Sequence, residues 1–190
     1  MNDEDIQTID KLYPDPETVP NSTYKETRLE HDVGPMYKRI EAAYAHYAYV
    51  APVRQTAFFA SPDTPVYLYH WAMRKDVVDG ARHGDNMLYE VRDPAICSQS
   101  KSQDELSGLL HAYTTSFICT GDPNKLAGTY SSRPEWEMYK RADPKVMIFG
   151  KDNTEFIGGQ NVGELASMVE DKYAKEESDF WWSKVELSQQ

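Results

Sequence analysis

Cysteine is nearly absent from this 190-residue chain, which carries only Cys97 and Cys119. Their spacing fits no zinc or redox pattern, so both are read as half-buried free thiols, with a bridge between them as the alternative and the compartment left open. Long apolar runs are missing as well. No stretch approaches the roughly 20 residues that span a bilayer, and the acidic opening from Met1 to Asp5 is unlike the basic start of a secretory signal. The expectation is a chain with no membrane span and no recognisable targeting signal. Basic residues are outnumbered, 20 Lys and Arg against 31 Asp and Glu, for a net charge of -11. Nucleic-acid affinity rests on clustered Lys and Arg, so neither a nucleic acid nor an anionic membrane surface is expected as partner. Also absent are a G-x-S-x-G elbow, a Walker loop, a Rossmann glycine fingerprint and an H-E-x-x-H pair. No cofactor and no metal is called for.

What is present is an ordinary globular composition, 40% hydrophobic, enough for a core in one domain or in part of a larger one. Asn2 or Asp3 caps a short helix with Ile6, Ile9 and Leu12 at helical spacing, ended by Pro14 and Pro16. Residues 15–32 read as a polar connection. A helix over 36–49 sets Met36, Ile40, Ala43, Tyr44 and Tyr47 on one face, the pattern of a buried stripe. Pro52 is expected to break it before a second helix, 54–60, that buries Ala57, Phe58 and Phe59. Val66 to Trp71 reads as a strand. Ser102 and Glu105 form an S-x-x-E capping box ahead of a helix with Leu106, Leu109, Leu110, Tyr113 and Phe117 inward and His111 as a partly buried packing residue. Gly121 to Asn124 stops that helix. Lys145 to Phe149 reads as a short strand, and Gly158-Gly159 as the turn into a final helix from Val162. That helix sets Leu165, Met168, Val169 and Tyr173 inward, with Phe180 to Trp182 docking on the core.

The stretch with chemical promise is Gly80-Ala81-Arg82-His83-Gly84-Asp85-Asn86. Two glycines let the backbone turn sharply around an imidazole, and Met87, Leu88, Tyr89 and Val91 supply a short helix expected to pack back on the core. On residue type alone, a capped loop histidine that bonds only to backbone is the plainer reading of His83.

Five fragments change that reading. Ala51 to Gln55, Val66 to Tyr69, Gly80 to Gly84, Thr120 to Asn124 and Trp136 to Tyr139 follow one another in the order seen in type B carboxylesterases. The chain thus resembles the esterase, lipase and cholinesterase family, its fungal members most of all. The resemblance implies an α/β class: the C-terminal portion of an α/β-hydrolase domain over residues 1–190, with helices packed on a few strands of an incomplete sheet. It implies His83 as the triad histidine, with the nucleophilic serine, the oxyanion hole and the triad acid expected upstream of Met1. Asp32 and Asp85 are not candidates for that acid.

Three departures from the family accompany the resemblance. Asn86 stands where an acid is common, Ala51 stands where a disulfide cysteine is common, and most of the sheet is missing. An ester substrate is therefore implied only if a missing N-terminal part completes the site. A complementing chain, or self-association through exposed apolar surface, is the implied partner. The reading is a carboxylic ester hydrolase portion inactive by itself, and the alternative is a non-catalytic interaction module on the same fold.

Overall fold

The structure is a computed structural model that describes residues 1–186. Among these the regular elements run α1 (Asp3–Leu12), α2 (Tyr37–Ala45), a π-helical turn (His46–Val50), α3 (Ala51–Ala60), β1 (Tyr69–Trp71), α4 (Asn86–Glu90), α5 (Pro94–Cys97), α6 (Lys101–Thr120), β2 (Lys145–Lys151), β3 (Glu164–Glu170) and α7 (Lys175–Ser183). They divide into two compact units. One is Met1–Phe59 with the segment from Lys172 onward, the other Ala60–Asp171.

In the first unit Asn2 caps α1 reciprocally: Asp5 N–H donates to Asn2 Oδ1 and Asn2 N–H to Asp5 Oδ2, each at 2.9 Å. The helix hands over to Tyr13, which is 1% exposed. Pro52 does not break the next helix. The chain stays helical from Tyr37 to Ala60 because the turn before the proline widens, with Ala51 N–H reaching back five residues to His46 O. A widened turn displaces the carbonyl that a proline ring would strike in a regular helix. The face predicted as core is not buried: Ile40 and Tyr44 are 64% and 60% exposed, and Phe59 is exposed too. The inward positions are His46, Ala51, Arg54 and Ala57. Arg54, a residue that patterning assigns to the surface, donates from Nη1 to Ser178 Oγ at 2.8 Å and to Ala174 O at 3.2 Å.

The second unit holds a three-stranded sheet in the order β1-β2-β3. β1 runs parallel to β2, with Tyr69 opposite Met147 and Trp71 opposite Phe149. β3 runs antiparallel to β2, with Val146 opposite Val169 and Ile148 opposite Ser167. The final helix predicted from Val162 is therefore this strand, and only the later part of that segment, α7, is helical. Leu165, Ala166 and Met168 do pack against the core, but from strand geometry. The core joins Met73, Tyr89, Ile96, Leu106, Leu110, Tyr113, Trp136, Met147 and Phe149. Burying a Leu, Met or Phe side chain of this kind contributes roughly 1.5–3 kcal/mol. Helix α6 starts two residues ahead of the predicted box: Ser100 Oγ accepts from Gln103 N–H at 3.2 Å, and Gly121 at φ 74° closes the helix. The strand predicted over 66–71 shortens to Tyr69–Trp71; ahead of it Val66 O accepts from Tyr139 N–H at 2.8 Å, and Leu68 O accepts from both Met147 N–H at 3.0 Å and Trp136 Nε1–H at 3.1 Å.

Candidate functional site

The His83 turn lies between the end of β1 and the start of α4. Ala72 N–H extends the β1 pairing to Phe149 O at 2.9 Å, after which Lys75 N–H closes a loop onto Gly80 O at 2.8 Å. Within that loop Asp76 Oδ1 accepts from Val78 N–H at 2.9 Å and Asp79 N–H at 2.7 Å. The Arg82 guanidinium bridges Asp76, at 2.7 Å, and Asp79. Arg82 N–H in turn donates to Asp85 Oδ2 at 2.9 Å, and Asp85 Oδ1 lies 3.4 Å from Lys75 Nζ. Every carboxylate of the loop is thus engaged in shaping it.

His83 sits on this turn with its side chain exposed. Gly80, at φ 62°, and Gly84, at φ 88°, bracket it. At Gly80 an added Cβ would meet no atom within 4 Å, so the glycine answers to backbone conformation and not to crowding. The turn then runs into α4 through Met87 N–H donating to Gly84 O at 3.0 Å.

Helix α4 buries one residue. Tyr89 is 4% exposed, while Met87 and Val91 are 63% and 68% exposed and Leu88 is exposed as well. Of the apolar set expected to pack back on the core, Tyr89 does so and Met87, Leu88 and Val91 do not. The Tyr89 hydroxyl donates to Gln103 Oε1 at 2.6 Å, and Gln103 Nε2–H donates to Glu155 Oε2 at 2.6 Å. Ser102 Oγ–H and Asn153 Nδ2–H also donate to that oxygen, at 2.5 and 2.7 Å. Burial pushes the Glu155 carboxyl up, but the hydrogen bonds from Ser102, Asn153, Ser100 and Gln103 outweigh it and hold the group at about 2.

Asn86 donates from Nδ2 to Tyr69 Oη at 3.0 Å and to Glu90 Oε1 at 2.7 Å. A carboxylate is therefore present one helical turn further on, tied to β1 through an amide. Burial first, and the nearby Glu90 second, push the Tyr69 phenol up to about 12. His111 is exposed, contrary to the packing role expected of it, and its Nδ1 lies 2.7 Å from Glu90 O at the end of α4.

A cavity of about 220 Å³ adjoins the turn, lined by Trp71, Met73, Lys75, Asp85, Tyr89 and Phe156 among others. Asp85 belongs to both the cavity wall and the His83 turn. The Trp71 indole nitrogen is buried with no hydrogen-bond partner among the described residues. Both cysteines are free; Cys97 Sγ lies 3.7 Å from Ser107 Oγ, and Cys119 is exposed. Among the described residues no group of three His, Cys, Asp or Glu could hold a metal ion, and no helix is long and apolar enough to cross a membrane.

The hydrogen-bond chain from Tyr89 to Glu155 escaped sequence reading. Its only visible signal is that Gln103 and Asn153 are polar residues beside apolar runs.

Comparison with known proteins gives this site a context. The carboxylesterase family matches residues 4–181. The chain is 26% identical over 187 residues to Secreted lipase 4 of Gibberella zeae, covering 96% of itself and 29% of that protein. It is 28% identical over 196 residues to Neuroligin-2 of Homo sapiens, covering 91% of itself and 22% of that protein. Among solved structures it superposes on a carboxylesterase of Geobacillus stearothermophilus with a TM-score of 0.60 at 17% identity, over 95% of this chain and 32% of the other. A thermophilic pNB esterase gives 0.59 at 13% identity, over 95% and 34%. The chain spans about a third or less of the proteins it matches.

Proposed function

The chain belongs to the carboxylesterase family, and on that premise we propose that residues 1–190 are the C-terminal portion of a carboxylesterase-type α/β-hydrolase domain with His83 as its general base. The fold, helices with a three-stranded sheet, is part of the one that carboxylesterases share. The observation that carries the reading is the exposed His83 on a turn fixed by Asp76, Asp85 and Arg82, between the end of β1 and the start of α4. An imidazole on such a turn can take the proton from a serine hydroxyl as that oxygen attacks an ester carbonyl, and return it to the leaving alcohol.

The serine and the oxyanion donors belong, in this reading, to polypeptide outside these 190 residues, on the same chain or on a complementing one, because no G-x-S-x-G lies within them. The exposed Met87, Leu88 and Val91 beside His83 are the apolar surface that such a polypeptide would cover. By itself the chain turns over no ester, since attack requires both an activated hydroxyl and donors for the oxyanion.

The test is co-expression with the part of Secreted lipase 4 that the match leaves uncovered, assayed on p-nitrophenyl butyrate. Saturable hydrolysis blocked by a serine-directed phosphonate is expected from the pair and none from the chain alone. His83→Ala should lower kcat of the pair by on the order of a hundredfold or more and leave KM within a few fold. Phosphonate-sensitive turnover by the chain alone, or normal kcat in the His83→Ala pair, overturns the proposal.

A further inference from the structure

The first unit contains a histidine that the ester-hydrolase reading does not use. His46 is 4% exposed and opens the π-helical turn between α2 and α3. Its Nδ1 lies 3.1 Å from the Tyr13 hydroxyl, and the same hydroxyl oxygen receives the Trp181 indole N–H at 2.8 Å. Tyr173 meets the imidazole edge-on at 5.7 Å between ring centres. Three parts of the chain thus converge on one phenol: the exit of α1, the π turn and α7.

Hydrogen-bond accounting selects one protonation state for this triad, the one that leaves no hydroxyl proton without an acceptor. An indole N–H can only donate, so the Tyr13 oxygen accepts from Trp181. The arrangement that gives the hydroxyl proton an acceptor points it at an unprotonated His46 Nδ1. The imidazole is therefore neutral, with its proton on Nε2. A second proton on Nδ1 would set an N–H against an O–H, and the Tyr13 oxygen would face two donors while its own proton lost its acceptor. Buried donors left without acceptors are costly.

The geometry points to an acid-released latch: Tyr13, His46 and Trp181 hold α7 against the π turn at neutral pH and let it go when His46 takes up a proton. The groups that face His46 are Tyr13 from the end of α1, Tyr173 ahead of α7, Glu177 on α7 and Arg54 on α3. Glu177 is itself bonded to the Tyr24 hydroxyl at 3.2 Å. Burial lowers the imidazole below its ordinary value of 6.5, with Glu177 opposing and Arg54 assisting. The sign follows: above about 6.5 the latch contributes fully, and as pH falls below that value the unfolded chain binds the proton first, so stability is lost.

The test is NMR on the ¹⁵N-labelled 190-residue chain at pH 7.5 and pH 5. At pH 7.5 long-range ring correlations should show the Nε2–H tautomer of His46. Hydrogen-exchange protection factors of the α7 amides should drop at least tenfold at pH 5. In His46→Asn, whose amide oxygen can accept from Tyr13 but cannot titrate, they should be equal at the two pH values. An Nδ1–H tautomer at pH 7.5, unchanged α7 protection in the wild type, or an equal loss in His46→Asn overturns the latch. If His46→Asn does not fold, the wild-type tautomer and protection factors decide.

Discussion

The rings of Trp71 and Tyr89 meet 4.7 Å apart at an interplanar angle of 60°, and this contact ties the helix after the His83 turn to the strand before it. Trp71 closes β1, and Tyr89 is the buried residue of α4. The turn between them inherits its position from that pair.

Replacing Tyr89 separates packing from hydrogen bonding. Tyr89→Phe keeps the ring on Trp71 but leaves Gln103 Oε1, now accepting at 2.6 Å, without its donor in a buried site. A loss of about 1–3 kcal/mol is expected. Tyr89→Ala removes the ring as well, and large-to-small changes of this kind cost about 3–5 kcal/mol. Urea unfolding should rank wild type above Phe above Ala. Equal midpoints for Tyr89→Phe and wild type would show that the hydroxyl bond contributes nothing.

Two glycines should respond differently to alanine. Gly80 has φ 62° with open space where a side chain would begin, whereas a Cβ on Gly163, also at φ 62°, would lie 2.0 Å from Lys151 O. Gly80→Ala meets only the left-handed backbone penalty, about 1–2 kcal/mol. Gly163→Ala must also push apart the β2–β3 connection. Thermal denaturation should place Gly163→Ala clearly below Gly80→Ala, and the reverse order would contradict this account of the two turns.

How much of this was legible in sequence differs by element. The inward side of α6 could be read at Leu106, Leu110 and Tyr113, because a 20-residue helix against one core repeats its pattern several times. The segment from Val162 could not. Leu165, Met168 and Val169 fit a helical spacing, yet β2 offered a strand edge, and six residue pairings with β2 settled the backbone as extended. The α2 stripe shows the opposite limit: Ile40 and Tyr44 repeat like core residues but are exposed, since periodicity reports an apolar face and not what covers it. At the site, the glycines around His83 were legible from residue type. The clamp formed by Asp76, Arg82 and Asp85 was not, because Asx-type bonds and ion pairs depend on backbone geometry that short polar stretches leave open.

Acid should weaken the second unit through Glu155. Its folded-state pKa of about 2 lies below the ordinary 4.5, so its contribution is complete above about 4.5 and is lost as pH falls toward 2. In Glu155→Gln that contribution is absent at every pH. The gap in urea midpoint between wild type and variant should be widest at pH 6 and should narrow steadily below pH 4.5. A gap that stays constant from pH 6 to pH 3 would mean that the carboxylate's charge plays no part in the network.

Asn86 offers the sharpest test around His83. Asn86 Nδ2–H reaches Glu90 Oε1 at 2.7 Å and Tyr69 Oη at 3.0 Å, so the amide supplies donors to a carboxylate and a phenol. Asn86→Asp withdraws both donors and sets a second carboxylate beside Glu90. Two carboxylates in one site cannot both ionise without mutual repulsion, and one of them takes a raised pKa. A group with a raised folded-state pKa contributes more at low pH and loses that contribution as pH rises through the raised value. Asn86→Asp should therefore unfold at lower urea than wild type at pH 7. It should recover toward wild type near pH 4, where one shared proton restores a donor. If the variant matches wild type at pH 7, the amide bridge from α4 to β1 does not support the turn.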